Sequence, residues 1–375
     1  MKKNKTISIK FVDFWNGFKY EDFLLYKVIQ DICTNINKEL IVLKENVFGE
    51  SLPDFLIYSN FGYEHLNTKY NKVCKIYWSG ENTFPNFNEC DYAIGSVDFG
   101  FEKLEEFKNR YLYYPYAYFS ESYENVYKSE MKEYDLSKSD QLDALESLVN
   151  EDRFYKRKFM SVVVSNSNFA DPIREKFIKA CIERYPGKVD SAGHFLNNMP
   201  NNYTIENNYN SLKNFLSQYK FNICFENSQV KGYLTEKIFQ AYDAKTIPIY
   251  FGDDENLILK NHTYIKVTKD DLENNFENIF KKIDKLNNNK NEYINYLKNC
   301  KIPLSLIFKN SKNNWPKNKI KFYQENPIIR VLHKNLYYYL KRILTNPHIY
   351  EHRYGNIGIQ NYQKLVILYN YFSKC

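Results

Sequence analysis

The chain has 375 residues, with 52 lysines and arginines set against 45 acidic residues, which gives a net charge of +7. This length predicts two domains, each large enough to bury its own core. The basic residues are mixed with acidic ones instead of being concentrated on one segment, so we expect no nucleic-acid partner.

The distribution of apolar residues and cysteines predicts a soluble protein with reduced cysteines. No run of 18 or more apolar residues predicts a membrane-spanning helix, and the N-terminal stretch MKKNKTISIKFVDFW lacks the apolar core of a signal peptide. The seven cysteines are scattered and form no C-x-x-C pair, so neither a disulfide framework nor a zinc site is predicted. We therefore expect a cytoplasmic location.

Strand patterns alternate with helical patterns in the first part of the chain. Strands are predicted at residues 7–15, 54–62, 72–78 and 91–97, and a helix at 20–33. Strands that alternate with helices imply a parallel sheet covered on both faces. We therefore predict an α/β domain over residues 1–150, ending in a charged helical connector.

The same alternation returns over residues 151–306. Strands are predicted in KFMSVVVSN, KVDSAG, YKFNICFEN and TIPIYFG, and helices after Asp171, around 211–218 and near Thr235. Asp171 has the properties of an N-cap residue, and Pro172 suits the first helical turn. Two α/β domains in tandem predict a cleft between them.

The last segment, 307–375, is basic and less regular. It opens with FKNSKNNWPKNKIKF (308–322), for which a solvated loop is the favoured interpretation. A helix is predicted at 326–344, with Leu332, Leu336 and Leu340 on one side. We favour a helix packed on the body of the protein, and the second interpretation is peripheral contact with a membrane surface.

The stretch CFENSQVKGYLTEKIFQAY (224–242) places polar residues where a buried strand ends. Asn227 falls at the carboxyl end of that strand, which is where an open α/β sheet binds ligands. Thr235 is predicted to cap the following helix, whose first turn carries Glu236 and Lys237. A helix N-terminus with a lysine favours an anion.

A second cation follows the other central strand. Arg174 lies in the first turns of the helix after SVVVSN, so Arg174 and Lys237 are predicted at the same edge of the sheet. A guanidinium bridges two phosphate oxygens and an ammonium adds a point charge, an arrangement that suits a diphosphate. Glu236 can accept hydrogen bonds from sugar hydroxyls. The alternative, a capped helix with surface charges, accounts for Lys237 but not for Arg174.

Three stretches resemble a known enzyme family. They are FLSQYKFNICFENSQVKGYLTEKIFQAYDAKTIPIYFGD (215–253), IYWSGENTFPNFNECDYAIGSVDF (76–99) and SNSNFADPIREKF (165–177). Together they are similar to the bacterial α-1,3/4-fucosyltransferases of glycosyltransferase family 10, over roughly residues 7–307. The resemblance implies a GT-B fold, in which two Rossmann-like domains face a cleft, with the acceptor on the N-terminal side and GDP-fucose on the C-terminal side.

The resemblance also implies roles for individual residues. The donor-binding residues would be Arg174, Asn227, Tyr233, Glu236 and Lys237. Glu81, in the loop WSGEN after a predicted strand, would be the catalytic base, and a carboxylate suits that role. From its position alone, a loop glutamate that caps a backbone turn is an equal alternative.

The implied reaction is inverting transfer of L-fucose from GDP-fucose to a hydroxyl, O3 in our prediction, of N-acetylglucosamine in a lactosamine-type glycan. The stretch GDDEN (252–256) superficially resembles a metal-binding motif, but we predict no metal or other cofactor, because two cations already neutralise the leaving group. The alternatives are a GT-B transferase with another nucleotide sugar and a non-catalytic glycan-binding protein. The chain lacks the seven-residue repeats found in many bacterial relatives, which leaves the role of its tail open.

Overall fold

The computed structural model describes residues 5–44, 51–101, 104, 107–120, 122–123, 125–126, 151–167, 170–206, 208–253, 263–299 and 327–350. The chain divides into two compact units, Met1–Pro115 with Asn314–Cys375 and Tyr116–Asn313. Each unit is built on one parallel sheet. The predicted α/β class is therefore confirmed.

The first unit contains a six-stranded sheet. Its strands are β1 (Thr6–Val12), β2 (Glu39–Val42), β3 (Phe55–Tyr58), β4 (Cys74–Ser79), β5 (Tyr92–Gly95) and β6 (Tyr111–Tyr113), in the order β2-β1-β3-β4-β5-β6. Helix α1 (Leu24–Asn35) connects β1 to β2 and buries Val28, Ile29 and Ile32, which recur at helical spacing. The strands β3, β4 and β5 are buried along their whole length, as parallel strands require.

The second unit contains a five-stranded sheet. Its strands are β7 (Lys158–Val162), β8 (Val189–Ser191), β9 (Tyr219–Ile223), β10 (Ile247–Tyr250) and β11 (Ile265–Lys266), in the order β8-β7-β9-β10-β11. The described helices of this unit are α2 (Glu151–Lys156), α3 (Pro172–Arg184), α4 (Tyr209–Leu216), α5 (Lys237–Asp243), α6 (Glu277–Asn288) and α7 (Lys290–Asn299).

Both sheets have the same strand order relative to the chain. The second strand lies on one side of the first, and the third and later strands lie on the other side. Consecutive connections therefore leave the first strand in opposite directions, so a crevice forms beside its carboxyl end. Each unit thus offers one such position, after β1 and β3 in the first and after β7 and β9 in the second.

The predicted strands and helices form, with shifted ends. The strand predicted at 7–15 stops at Val12, because Asp13 takes a left-handed backbone conformation with φ of 60°. The short strands β2 and β6 were not predicted, and they have only four and three residues. The domain limits 1–150, 151–306 and 307–375 stay predictions, since 127–150 and 300–326 lie outside the described residues.

The predicted C-terminal helix is α8 (Pro327–Thr345), and it packs on the first unit. Leu336, Leu340 and Ile343 are buried, and α8 lies against α1. The Tyr339 hydroxyl is placed to donate to the carbonyl oxygens of Ala93 (3.1 Å) and Arg110 (2.7 Å). The interpretation as a packed helix is confirmed, while the basic stretch 308–322 and the apolar run 364–372 lie outside the described residues.

None of the helices that the structure describes combines the length and the apolar composition needed to span a bilayer.

The buried His65 contacts two other loops at the carboxyl edge of the first sheet, those that carry Asp13 and Glu89. The His65 ring stacks on Tyr58, with ring centroids 3.9 Å apart. Its Nδ1 lies 2.6 Å from Asp13 Oδ2, and its Nε2 lies 3.4 Å from Glu89 Oε2. Burial lowers the pKa of His65, but the hydrogen bonds and charges of Asp13 and Glu89 outweigh this effect and raise it overall.

This cluster makes the stability of the protein depend on pH. Because the pKa of His65 is higher in the folded state than in the unfolded state, its stabilising contribution is complete below about pH 6.5. That contribution is lost as the pH rises through the folded pKa. We expect the urea midpoint of the wild type to fall between about pH 6 and pH 8 more than that of His65→Gln. The exposed His194→Gln is the control, and an equal decline in all three proteins would contradict the prediction.

Candidate functional site

The predicted anion site lies at the carboxyl edge of the second sheet. Strands β7 and β9 are neighbours there, and the chain leaves β7 toward β8 on the opposite side. The segments that follow β7 and β9 carry the five residues predicted to bind the donor. All five belong to the same compact unit.

Arg174 is held by amide and carbonyl groups. The helix α3 that carries it is capped by Asp171, whose Oδ1 accepts the N–H of Ile173 at 3.1 Å, as predicted. The buried guanidinium donates from Nη1 to Asn227 Oδ1 and from Nη2 to the Asn166 carbonyl oxygen, both at 2.5 Å. Arg174 and Asn227 are therefore in direct contact, while their roles as donor ligands stay predictions.

Lys237 belongs to a network around a fully buried carboxylate. Its Nζ donates to Thr235 Oγ1 at 2.7 Å and to Glu226 Oε2 at 3.3 Å. The Thr235 hydroxyl donates in turn to Glu226 Oε2 at 2.7 Å, and its backbone N–H donates to Glu226 Oε1 at 2.8 Å. The Lys237 side chain keeps part of its surface exposed, whereas Glu226 has none.

In both Glu226 and Lys237, burial and the neighbouring charges shift the pKa in opposite directions. Burial raises the pKa of Glu226, and the charge of Lys237 and the hydrogen bonds from Thr235 act against it. Burial lowers the pKa of Lys237, but the carboxylates of Glu226 and Glu236 outweigh this effect and raise it overall. Lys237 is therefore an ammonium at neutral pH. Burial lowers the pKa of Arg174, while Tyr233 and Glu226 act in the opposite direction, and a guanidinium stays charged in any case.

Tyr233 and Glu236 lie beside these two cations. Tyr233 is buried and its N–H donates to the Val230 carbonyl oxygen at 2.9 Å. Its electrostatic interactions with both Arg174 and Lys237 put it in the same cluster. Glu236 is partly exposed and is the N-cap residue of α5. The structure thus brings the five predicted donor residues to one sheet edge.

The predicted cap of α5 is wrong. The helix begins at Lys237, two residues after Thr235, and Thr235 uses its hydroxyl on Glu226 instead of on the helix backbone. The helix has only seven residues, about two turns, so few peptide dipoles are aligned along it. The positive charge next to the start of α5 therefore comes from the side chains of Arg174 and Lys237 and not from the helix dipole.

Gly232 and Asp253 shape the turn before α5. Gly232 has a φ of 80°, the backbone conformation predicted for it. Its N–H donates to Asp253 Oδ2 at 2.6 Å. The first described acid of the GDDEN stretch thus holds a turn, and residues 254–256 lie outside the described part of the chain. Within the described residues, no three His, Cys, Asp or Glu side chains come together as a metal site.

Glu81 lies in the other compact unit, two residues after the end of β4. Its backbone N–H donates to Ser79 Oγ at 3.0 Å, and its carbonyl oxygen accepts from Thr83 N–H at 2.9 Å. The Thr83 hydroxyl is also 2.7 Å from Ser79 Oγ and 2.6 Å from the Tyr77 hydroxyl. The backbone of the loop is therefore fixed, and the Glu81 side chain is exposed.

Comparison with known proteins assigns the family. The family model for the C-terminal domain of glycosyltransferase family 10 (fucosyltransferase) matches residues 154–318, and the model for the α-(1,3)-fucosyltransferase FucT N-terminal domain matches residues 9–120. An α-(1,3)-fucosyltransferase FucT from Helicobacter pylori is 31% identical over 370 residues, which cover 93% of this chain and 68% of that protein. The chain belongs to glycosyltransferase family 10, the fucosyltransferases.

Solved structures support the same conclusion for the fold. A crystal structure of an α1,3-fucosyltransferase with GDP is 27% identical, covers 95% of this chain and 94% of its own, and has a TM-score of 0.60. A crystal structure of an α1,3-fucosyltransferase with GDP-fucose is 27% identical, covers 93% of each chain and has a TM-score of 0.57. The predicted GT-B fold class and the predicted fucosyltransferase class are confirmed.

Two groups of the site were not predicted from the sequence of this fucosyltransferase. Glu226, which directly follows the strand FNICF, was given no role, although it is the buried partner of Lys237. The Asn166 carbonyl oxygen, which accepts from Arg174, was not considered. The available signal for Glu226 was an acid that directly follows the apolar strand FNICF, since such an acid is buried only when it is paired.

Glu226→Gln tests how much the fucosyltransferase depends on this pair. The substitution keeps the shape but removes the charge that Lys237 and Thr235 satisfy, so we expect the free energy of unfolding to fall by about 3 kcal/mol. Urea unfolding at neutral pH measures the loss. Glu175→Gln breaks the exposed pair with Lys179 on α3 and should cost less than about 0.5 kcal/mol. Equal stability of Glu226→Gln and the wild type would rule out a charged partnership.

Proposed function

We propose that this protein catalyses inverting transfer of L-fucose from GDP-fucose to O3 of N-acetylglucosamine in a lactosamine-type glycan. The observation that carries the proposal is the pair of cations, Arg174 and Lys237, at the carboxyl edge of β7 and β9. Both lie within the stretch that matches the family 10 model. A relative that is 27% identical over 93% of the chain binds GDP-fucose.

The two cations would bind the diphosphate in different ways. Arg174 presents a planar fork of donors, and Lys237 presents a point charge whose position is fixed by Thr235 and Glu226. The leaving GDP gains negative charge as the sugar departs, so fixed positive charge lowers the barrier. Asn227 and Tyr233 line the same pocket, and the Glu236 carboxylate accepts from hydroxyls of the ribose or fucose. Two fixed cations fulfil the role of a metal ion, so the proposal includes none.

Glu81 is the proposed catalytic base. An alcohol is a poor nucleophile until its proton is removed, and a carboxylate can take that proton while the new bond forms. In a single displacement, the acceptor oxygen bonds to C1 of fucose, the bond from C1 to the phosphate oxygen breaks, and the proton passes to Glu81. This single displacement inverts the configuration at C1 without a covalent intermediate. The fixed backbone of residues 79–83 supports the role.

The acceptor and the location complete the proposal. The α-1,3 linkage follows the names of the relatives in Helicobacter pylori and in the solved structures. We propose that the enzyme works in the cytoplasm on a glycan of the lipopolysaccharide type, at the inner face of the membrane. The exposed Lys334 and Arg342 of α8 are suited to an anionic lipid surface.

The proposal is tested by the product. Purified protein is incubated with GDP-fucose and with type 1 and type 2 disaccharides, and the linkage and anomeric configuration of the product are determined by NMR. The proposal requires GDP release that depends on the acceptor and an α-linked fucose on O3 of the type 2 disaccharide. Consumption of a different nucleotide sugar would replace the donor, and binding of disaccharide without any turnover would indicate a glycan-binding protein.

Arg174→Ala and Lys237→Ala should each lower kcat/KM for GDP-fucose by more than about a hundredfold, because each removes a charge that stabilises the leaving group. We expect the fold to survive in Lys237→Ala, because Glu226 keeps both hydrogen bonds from Thr235. Lys179→Ala, an exposed lysine on α3, is the control and should keep normal activity. A folded Arg174→Ala or Lys237→Ala enzyme with wild-type turnover would disprove the phosphate assignment.

Glu81→Gln should keep GDP-fucose affinity and lower transfer by roughly a hundredfold or more, because the amide keeps the shape of the side chain and loses its basicity. Donor affinity by calorimetry and turnover are measured on one preparation. Undiminished transfer would remove Glu81 from the mechanism. Lost donor affinity would assign it to the donor site instead.

A further inference from the structure

A second cavity lies in the first unit, at the carboxyl end of β1 and β2. It has a volume of about 640 Å³ and is lined by residues 11–18, 20–21 and 42–44. It lies beside the carboxyl end of β1 on the side of β2, next to the crevice between β1 and β3. The volume is within the range of roughly 300–1,000 Å³ that is typical of sites for small ligands.

The lining residues Phe14, Trp15 and Phe18 belong to a packed group of aromatic rings that continues beyond the cavity to Trp78 and Phe61. Phe14 stacks on Phe18 with centroids 4.0 Å apart, and it also stacks on the buried Trp78 at 6.0 Å. Trp15 packs edge-on against Phe18 at 5.0 Å and against Phe61 at 6.1 Å. Trp15 is nevertheless 39% exposed and Phe61 is 51% exposed. Two large rings that contact each other are thus held open to solvent on a packed support, a feature typical of binding surfaces.

The loops that carry these two rings are fixed to each other. The Asp13 carbonyl oxygen accepts from Phe61 N–H at 3.0 Å, and Asp13 Oδ1 accepts from Glu64 N–H at 2.9 Å. A Cβ at Gly62 would lie 2.4 Å from Asp13 Oδ1, so only glycine permits this approach. The spacing between Trp15 and Phe61 is therefore built into the fold and does not depend on a ligand.

The charges of the cavity differ from those of the cation site. Its lining contains Asp13, Glu21 and Lys44, two negative charges and one positive charge. Such a lining is unfavourable for a phosphate, in contrast to the surroundings of Arg174 and Lys237. Asn16 and Glu21 are exposed and present hydrogen-bonding groups beside the aromatic rings. The chemistry fits an uncharged ligand with both apolar faces and hydroxyl groups.

We propose that this cavity is the subsite for a pyranose ring of the acceptor, with Trp15 of the lining as the stacking surface and the ring of Phe61, which contacts Trp15 from outside the lining, as its extension. The inference rests on the proposed function, because it assigns the acceptor of that reaction to a specific set of residues. A pyranose ring has a face of C–H bonds with partial positive charge, which the negative face of an aromatic ring attracts. Its equatorial hydroxyls then point to the side, where Asn16 and Glu21 can hydrogen-bond to them.

Steady-state kinetics with N-acetyllactosamine and GDP-fucose provide the first test. Trp15→Ala and Phe61→Ala should each raise the KM for N-acetyllactosamine about tenfold, while the KM for GDP-fucose and the slow hydrolysis of GDP-fucose without acceptor stay unchanged. Trp15→Phe, which keeps a stacking face, should recover most of the loss. Tyr63→Ala is the matched control, because Tyr63 is an aromatic residue of the loop that carries Phe61 and is 82% exposed, but among the described residues its ring does not contact Trp15 as the Phe61 ring does.

Saturation-transfer NMR with N-acetyllactosamine and without donor separates this inference from the proposed function. A wild type that binds the disaccharide but transfers no fucose, with binding lost in Trp15→Ala, would support the subsite and overturn the proposed reaction. A wild type that transfers fucose, with Trp15→Ala and Phe61→Ala unchanged in acceptor KM, would overturn the subsite alone. Equal increases in the KM of both substrates would also overturn it, because they would indicate a structural role.

Discussion

The fully buried carboxylate of Glu226 is the constraint on which the position of Lys237 beside Arg174 depends. A buried charge is tolerated only with close partners, and Glu226 finds them in Thr235 and Lys237, nine and eleven residues further along the chain. The intervening segment must therefore fold back over the end of β9, and its turn is secured by Gly232 and Asp253. The need of the buried Glu226 for hydrogen-bond and charge partners thus determines the position of Lys237, the first residue of α5.

The same strand order occurs in both units with different loop residues at the carboxyl edge. Each sheet has a crevice beside the carboxyl end of its first strand, since both share one strand order. After β7 and β9 buried polar and charged groups come together, whereas the loop after β1 carries stacked aromatic rings. The backbone architecture determines where ligands can bind, and the loop residues determine which ligand each position accepts.

Much of this arrangement could be predicted from the sequence, because the signals are local. Asp171 before Pro172 predicted the start of α3, and the end of the strand FNICF predicted the convergence of Arg174 and Asn227. The cap of α5 could not be predicted correctly. A threonine before a helix normally bonds to the backbone, and the competing bond depends on an acid nine residues upstream. The left-handed Asp13, which ends β1 early, is likewise determined by its contacts with residues 61–65.

The hydrogen-bond partners of Arg174 affect the association rate of an anionic ligand. Among the described residues, its guanidinium donates to two neutral oxygens, whereas the ammonium of Lys237 is paired with an acid. Within the described part of the chain no carboxylate is bonded to Arg174, so its positive charge is less neutralised than that of Lys237, although Glu226 acts on it at longer range. Long-range attraction of an anionic ligand is screened by salt over about 10 Å at 0.1 M ionic strength. We therefore expect the charge of Arg174 to contribute more than that of Lys237 to the salt dependence of the association rate.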